Sequence, residues 1–171
     1  MQSLSFRSLS VAIALLMFCV MPTLAQDEPN TDVDNSLLAK KFFVGMAVKL
    51  EAPPEALKEA KLTQEAVKQT VERALKAQGV RVVEVGNDRQ DMAMIVRMTM
   101  KADGGQVVGS CEINVIVVVE DAKSGNKKPR MAFDSFGNHP GRSAKEVGGL
   151  LFKALNKDLG TFATVYKKHN P

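Results

Sequence analysis

The first clear pattern along the chain is an alternation of apolar and other residues over positions 41–51. A period of two is typical of a strand with one buried face, so we predict a first strand here. Pro53 and Pro54 end it, because proline cannot donate a ladder hydrogen bond. A helix is predicted over residues 64–78, with Thr63 as its N-cap and an apolar stripe at spacings of three and four.

Four more strands and a second helix follow from the same patterns. The strands are predicted at residues 80–85, 92–102, 107–120 and 131–136. The Asp-Gly-Gly sequence at 103–105 is a strong hairpin signal. Ser143 and Glu146 have the spacing of a capping box, and the apolar stripe that follows them predicts a long helix reaching Tyr166.

The predicted element order is β-α-β-β-β-β-α. Because both helices carry one apolar stripe, they need one apolar face of the sheet. We therefore predict the α+β class: a two-layer sandwich with a mostly antiparallel sheet of about five strands and two helices on one face. Residues 38–171 suffice for a single domain with a core, and not for two. We expect Gly148, Gly149 and Gly160 to let the second helix approach the sheet closely.

The beginning of the chain has the pattern of a targeting signal. Residues 1–25 are predicted to be a secretory signal peptide cut near Ala25, because a positive charge precedes an apolar run too short for a convincing membrane span. Retention of the segment as an uncleaved anchor is the alternative. Lipidation at Cys19 is discounted, since Phe18 stands where a small residue is needed. The acidic stretch 26–37 is predicted to be a flexible mature N-terminus. The protein is thus expected in the periplasm or outside the cell.

The charge pattern favours an ordinary solvated surface. The net charge is +4, and the basic residues are spread over several predicted elements. With one Tyr and no Trp in an exported chain, nucleic-acid binding is not expected. One predicted hairpin tip is a candidate site for an acidic partner or anionic lipid headgroups, with a solvated turn as the simpler interpretation. Its basic residues are Lys123, Lys127, Lys128 and Arg130.

Cys111 is the cysteine that remains once the signal peptide is removed. Alternation places it on the more apolar face of the fourth strand. A two-residue turn at 104–105 sets Met98 opposite Cys111, and one at 103–104 sets Val96 there. Either register unites the apolar faces of the two strands, whereas a three-residue loop mixes them. We therefore predict that Cys111 lies under a helix and is structural and inert.

Two chemical roles for this thiol are the alternatives to a structural one. Catalysis needs a nearby base, and the two histidines, His139 and His169, stand in no known cysteine-enzyme motif, so we do not expect an enzyme. The second alternative is a Cu(I) site, since soft sulfur ligands suit Cu(I) in an exported protein. Its ligands would be Met98, Met100 and Cys111. Methionines at i and i+2 share a face in any core strand, so the preferred interpretation includes no metal and no other cofactor.

The opposite face of the predicted sheet carries apolar residues among polar ones, which is the pattern of a partner surface. These residues are Phe43, Ile95, Ile116 and Val118. Cover by the N-terminal segment and a homodimer are the alternatives to a separate protein partner.

A family resemblance rests on several stretches. The run VKQTVERALKAQGVRVVE from Val67, then QDMAMIVRM, a long strand ending in EDAKSGN and a last amphipathic helix resemble the small α+β domain of curli-secretion-type lipoproteins and TolB-like N-terminal domains. In that domain an Asp opens the next strand and a D-x-x-[ST]-G turn separates two long strands. The ending FATVYKKHNP is similar to the F-x-x-x-Y-x-x-x-N-P tail of small exported bacterial proteins of unknown function.

The resemblance covers about residues 41–171 and implies an envelope address and a non-enzymatic module. It implies no catalytic residues and no substrate. Together with the pattern analysis, it leads us to expect an exported binding module of the bacterial cell envelope, whose partner is another envelope protein or a second copy. We expect no transmembrane segment in the mature chain. The alternative function is that of a Met/Cys-based Cu(I)-binding protein.

Overall fold

The computed structural model describes residues 33–86, 90–120 and 125–171. The predicted signal peptide, 1–25, and most of the 26–37 segment lie outside these residues. The last residues of that segment belong to a short 3-10 turn, Asn35–Leu38, whose N-cap Asp34 accepts a hydrogen bond from the Ser36 amide. Leu38 is fully buried and belongs to the core.

The described residues form five strands and three α-helices. The strands are β1 Phe43–Glu51, β2 Arg81–Val83, β3 Met92–Asp103, β4 Gln106–Glu120 and β5 Lys127–Gly141. The helices are α1 Pro54–Ala60, α2 Gln64–Lys76 and α3 Ala144–His169. All five predicted strands and both predicted helices are present, with boundaries that differ by a few residues, except in β5.

The strands make one mixed sheet in the order β2-β1-β3-β4-β5. β1 runs parallel to both of its neighbours, and β3, β4 and β5 pair antiparallel. A parallel neighbour needs a crossover connection, and α1 and α2 provide it between β1 and β2. The predicted α+β class is confirmed.

The helix α1 is absent from the sequence prediction. Pro53 and Pro54 indicated only the end of β1, yet proline is also favoured at the first position of a helix, where its missing N–H has no partner to lose. Pro54 begins α1, and Lys61 closes it in a left-handed conformation with φ of 53°. The element order is therefore β-α-α-β-β-β-β-α.

The hairpin between β3 and β4 has a two-residue turn at Gly104 and Gly105. Their φ angles of +55° and +83° are both positive, as a type I′ turn requires. Asp103 pairs with Gln106, and Met98 consequently pairs with Cys111. The first of the two predicted registers is correct.

The strand β5 is much longer than the predicted 131–136. It contains Pro129 and Pro140, which a central strand would not tolerate. β5 is an edge strand with no neighbour on one side, and proline is tolerated in such a strand. A register shift opposite Val115 and Ile116 bends this strand.

One face of the sheet is covered by the helices, α2 over β1 and β2 and α3 over β3, β4 and β5. The predicted stripe of α3 is buried along its length, and Phe162 packs edge-on to Phe133 with ring centroids 5.4 Å apart. The predicted capping box is present: the Glu146 amide donates to Ser143 Oγ at 3.2 Å. The Glu146 carboxylate reaches back to the Arg142 amide at 2.8 Å, one residue before the cap.

The glycines of α3 do not act as expected. A Cβ on Gly148 would lie 2.7 Å from the Ala60 Cβ, so this glycine admits α1 and not the sheet. A Cβ on Gly149 or Gly160 would have no neighbour within 4 Å. The close approach to the sheet is made from the strand side. A Cβ on Gly109 would lie 2.5 Å from Val147 Cγ1, so β4 supplies the space for the first turn of α3.

Candidate functional site

The sheet face turned away from the helices, called here the open face, is the main candidate surface. Along β3, residues on the helix side are buried and those on the open face are half-buried, as the alternating burial of this strand shows. The open face is built from these residues: Phe43, Ala47, Lys49 and Glu51 on β1; Ala93, Ile95, Arg97 and Thr99 on β3; Ser110, Glu112, Asn114, Ile116 and Val118 on β4; Met131, Asp134 and Phe136 on β5. Gly45 also lies here, beneath the Gln90 side chain.

All four residues predicted for a partner surface lie on the open face. Phe43, Ile95 and Ile116 are half-buried, and Val118 is 46% exposed. Ile116 pairs with Ala93 and with Met131 on its two sides. The structure thus joins these residues into one surface, and their role in binding stays a prediction.

Phe136 is the open-face residue that the sequence analysis missed. Its side chain is 62% exposed, more than any other large apolar side chain in the described ranges. It pairs with Glu112 across the ladder, whereas Phe133, three positions earlier, is buried on the helix side. An odd spacing puts two strand residues on opposite faces. Once Phe133 is assigned to the covered face, this spacing therefore assigns Phe136 to the open face.

A polar network crosses the middle of the open face. Arg97 Nη1 lies 3.2 Å from Glu112 Oε2, and Arg97 Nε lies 3.6 Å from Glu51 Oε1. Asn114 donates to the other Glu112 oxygen at 2.6 Å. Partial burial, and then the negative charge of Glu112, raise the pKa of Asp134. The charged side chains of this network therefore pair with one another within the open face.

The predicted basic tip is only partly described and does not form one patch. Lys123 lies outside the described residues. Lys127 pairs with Glu120 on the open-face side of β5, whereas Lys128 and Arg130 lie on the other side. Hydrogen bonds from Ser36, and to a smaller extent the nearby Arg130, lower the pKa of Asp34. The described bases are thus divided between two faces and opposed by acids.

The sulfur side chains lie on the covered face. Cys111 is fully buried, as predicted, and Met98 and Met100 are 1% and 2% exposed. Burial raises the pKa of the Cys111 thiol to about 12. A protonated thiol is neither a nucleophile nor a thiolate ligand. Between residues 33 and 171, as far as they are described, no group of three or more His, Cys, Asp or Glu side chains is placed to hold a metal. The Cu(I) hypothesis stays a prediction.

A shallow cleft of about 700 Å³ lies between α2 and the edge strand β2. Its floor is apolar, with Met46, Val80 and Val82, and its rim carries charges of both signs. Lys68 and Glu72 on this rim are already paired at 3.8 Å. Since no set of polar groups from the described residues converges on the cleft, it is the weaker candidate.

The tail residues that carry the family resemblance bind the protein's own backbone. The Tyr166 hydroxyl donates to the Lys41 carbonyl at 2.6 Å. The Asn170 side-chain amide accepts from the Lys40 N–H at 2.7 Å and donates to the Leu38 carbonyl at 2.9 Å. Tyr166 and Asn170 with the 38–41 backbone are called here the C-terminal clasp, and its role is structural.

Asp91 stands where an Asp opens the next strand in the resembled family, and it also binds backbone groups. Asp91 Oδ2 accepts hydrogen bonds from the amides of Phe42 and Phe43, at 3.0 and 3.2 Å. It therefore secures the start of β1 from the neighbouring strand. Both motifs explain how β1 is held and point to no ligand.

Neither α3, the longest described helix, nor any other helix in the described ranges has the length and apolar content to cross a bilayer.

Comparison with known proteins adds little to this description. No family model matches the chain. No curated protein matches it either. Among solved structures, it is similar to the hypothetical protein CT253 from Chlamydia trachomatis, with 9% identity, a TM-score of 0.46, and coverage of 75% of this chain and 99% of that one. It is also similar to the PelC dodecamer from Paraburkholderia phytofirmans, with 13% identity, a TM-score of 0.40, and coverage of 71% and 87%.

A third similar structure is the rare lipoprotein B from Shewanella oneidensis, with 10% identity, a TM-score of 0.33, and coverage of 74% of this chain and 100% of that one. At these scores the similarity carries no argument about function.

Proposed function

We propose that this protein is an exported, non-enzymatic interaction module of the bacterial cell envelope, and that the open face is its binding surface. The proposal rests on the exposure of large apolar side chains on a sheet face where the charged side chains of Arg97 and Glu112 pair with each other. Phe136 and Val118, at 62% and 46% exposure, lie on that face. The envelope address rests on the predicted signal peptide and the family resemblance.

The composition of the open face supports a protein partner. The centre of a protein interface is apolar and poor in charge, with aromatic residues enriched, and the rim is polar. Here Ile95, Ile116 and Val118 form the apolar part, and Phe136 adds an aromatic side chain. The charges of Arg97 and Glu112 satisfy each other, so covering them does not leave an unpaired ion.

The test compares two substitutions of the same kind at sites of equal exposure. Val118→Lys places a charge on the open face, and Val85→Lys places one in the lining of the weaker candidate cleft, where Val85 is 45% exposed. We expect Val118→Lys to weaken a partner complex or a dimer about tenfold or more, because it puts a charge in place of an exposed apolar contact. Val85→Lys should leave it unchanged, and circular dichroism should show both variants folded.

The proposal is wrong if the protein is monomeric and captures nothing from envelope extracts, or if Val85→Lys and Val118→Lys reduce capture equally. The address is tested separately, by mass spectrometry of the exported protein. A mature N-terminus near Gln26 supports it, and an intact Met1 in cytosolic protein contradicts it.

A further inference from the structure

The two halves of the open face differ in side-chain size and in charge. The half on β1 and β3 has small residues, Ala47 and Ala93, and the base Arg97. The half on β4 and β5 has the large apolar residues and the acids. Those residues are Ile116, Met131, Phe136, Glu112 and Asp134. The exceptions to this division are the acid Glu51, at the end of β1, and the large apolar residues Phe43 and Ile95.

We propose that the occupant of the open face is a second copy of this chain, related by a two-fold axis that runs along the strands between β3 and β4. The inference rests on the proposed function, because it names the partner of that surface. Such an axis places β3 of one copy over β4 of the other, and β1 over β5. The half on β1 and β3 of one copy then lies over the half on β4 and β5 of the other.

The ladder register shows which side chains face each other in this arrangement. Residues paired between β3 and β4 within one chain come to lie over each other between chains. Arg97 therefore lies over Glu112 of the second copy, and Ala93 lies over Ile116 of the second copy. In these two rows a small residue faces a large one and a base faces an acid, twice in each dimer. At the margins, Asp134 lies over Ala47 and Phe136 lies over Lys49 of the second copy. Interfaces are selected for this kind of charge and shape complementarity.

A two-fold axis that runs across the strands instead does not bring Arg97 over Glu112 of the second copy. It places each strand over the same strand of the second copy, with the order of the ladder pairs along the strand reversed. About the row of Ile95 and Asn114, Glu112 then lies over Ile116 of the second copy, and a charged carboxylate would be covered by an apolar side chain. The charge contact between copies is absent there, whereas the axis along the strands provides it twice, so we prefer the axis along the strands.

The size of the face is consistent with a dimer of moderate affinity. Strands β1, β3, β4 and β5 with their side chains are about 20 Å wide, and residues 43–51 span about 26 Å, from the usual strand spacing and rise. Each copy thus contributes about 500 Å², and the dimer buries about 1,000 Å², the lower limit for a specific interface. We expect a Kd of about 1–100 µM, since interfaces of this size are weak or transient.

The test is a charge-reversal exchange measured by analytical ultracentrifugation of the purified protein. Arg97→Glu and Glu112→Arg each place like charges opposite one another between copies, so each variant alone should dimerise at least tenfold more weakly than the unchanged protein. Mixing the two variants should restore a dimer, because one chain is then acidic and the other basic at both positions. Mixing cannot alter pairing within a chain, so restoration reports the contact between chains.

Each outcome decides between the claims. Restored dimer in the mixture, with Val118→Lys monomeric and Val85→Lys dimeric, supports the proposed dimer. Variants that dimerise as well as the unchanged protein, or a mixture that stays monomeric, overturn it. If the protein is monomeric at several times the expected Kd while Val118→Lys still abolishes capture of another envelope protein, the dimer is wrong and the proposed function holds. A monomer that captures nothing overturns both.

Discussion

Two neighbouring glycines of α3 allow a controlled test of the contact between α1 and α3. A Cβ on Gly148 would lie 2.7 Å from Ala60 Cβ and 2.8 Å from the Ala60 carbonyl oxygen. Carbon atoms pack at about 3.5–4.0 Å, so Gly148→Ala must push α1 away by about 1 Å. At Gly149 a Cβ would have no neighbour within 4 Å. The two substitutions are chemically identical and differ only in this contact.

The expected magnitudes follow from two opposing terms. Replacing a helical glycine by alanine stabilises by about 1 kcal/mol in both cases. Overpacking against the α1 backbone costs Gly148→Ala about 1–3 kcal/mol. Gly149→Ala should therefore raise the free energy of unfolding by about 1 kcal/mol, and Gly148→Ala should leave it unchanged or lower it by up to about 2 kcal/mol. At roughly 4 °C per kcal/mol, the Tm values should differ by about 4–12 °C.

Urea denaturation followed by circular dichroism measures both variants. Adding Ala60→Gly to Gly148→Ala removes the nearest contact atom and should recover part of the loss, beyond the sum of the single effects. If Gly148→Ala and Gly149→Ala agree within about 0.5 kcal/mol, α1 does not contact α3 at this position and the reasoning is refuted.

Two further predictions concern the C-terminal clasp and the buried thiol. Tyr166→Phe should lower the free energy of unfolding by about 1–2 kcal/mol, because the half-buried Lys41 carbonyl loses its donor, and Asn170→Ala should cost at least as much. Thr164→Ala, which alters an exposed bond on the same helix, is the urea-denaturation control, and equal midpoints for all three variants would contradict the clasp. For Cys111, whose pKa rises from 9.0 to about 12, both states keep the proton below pH 9 and only the folded state keeps it between pH 9 and about 12. Stability should fall by about 1.4 kcal/mol per pH unit in that window, more steeply than in Cys111→Ala, and a parallel profile for the two proteins would contradict the burial. The native thiol should also resist Ellman's reagent at pH 8 and react fully in denaturant.

Local patterns were sufficient for the centre of the sheet. Alternation placed Cys111 on the covered face and left Met98 or Val96 opposite it, because only a three-residue loop would have mixed apolar and polar residues. The structure selects Met98. The same alternation brought Ile95 and Ile116 onto the other face. These inferences succeeded because the period of a strand allows only two faces.

The sequence patterns missed α1 and the full length of β5, because proline is compatible with more than one local structure. Pro54 ends a strand and equally begins a helix, and only the packing of Ala60 against α3 distinguishes the two. β5 extends past Pro129 and Pro140, and their tolerance depends on the position of β5 at the edge, which is a property of the whole sheet.

The candidate surface was predictable in outline and not in detail. Strand parity identifies which side chains share the open face, while the exposure of Phe136 depends on where β5 pairs and on what the helices leave uncovered. The Arg97–Glu112 pair likewise depends on the register of two strands. For the tail, similarity of motif indicated that Tyr166 and Asn170 matter, and only the structure shows that they bind backbone groups.

The C-terminal clasp determines when folding can finish. Tyr166 and Asn170 hold backbone groups 125 and 132 positions earlier in the chain, at the start of β1. Bringing such distant segments together costs chain entropy before any contact repays it, so this closure comes late. A nascent chain that has not yet reached the end of α3 therefore lacks these two contacts to the segment before β1. Its fold is less stable until synthesis is complete, which favours the open state that export of the kind proposed here requires.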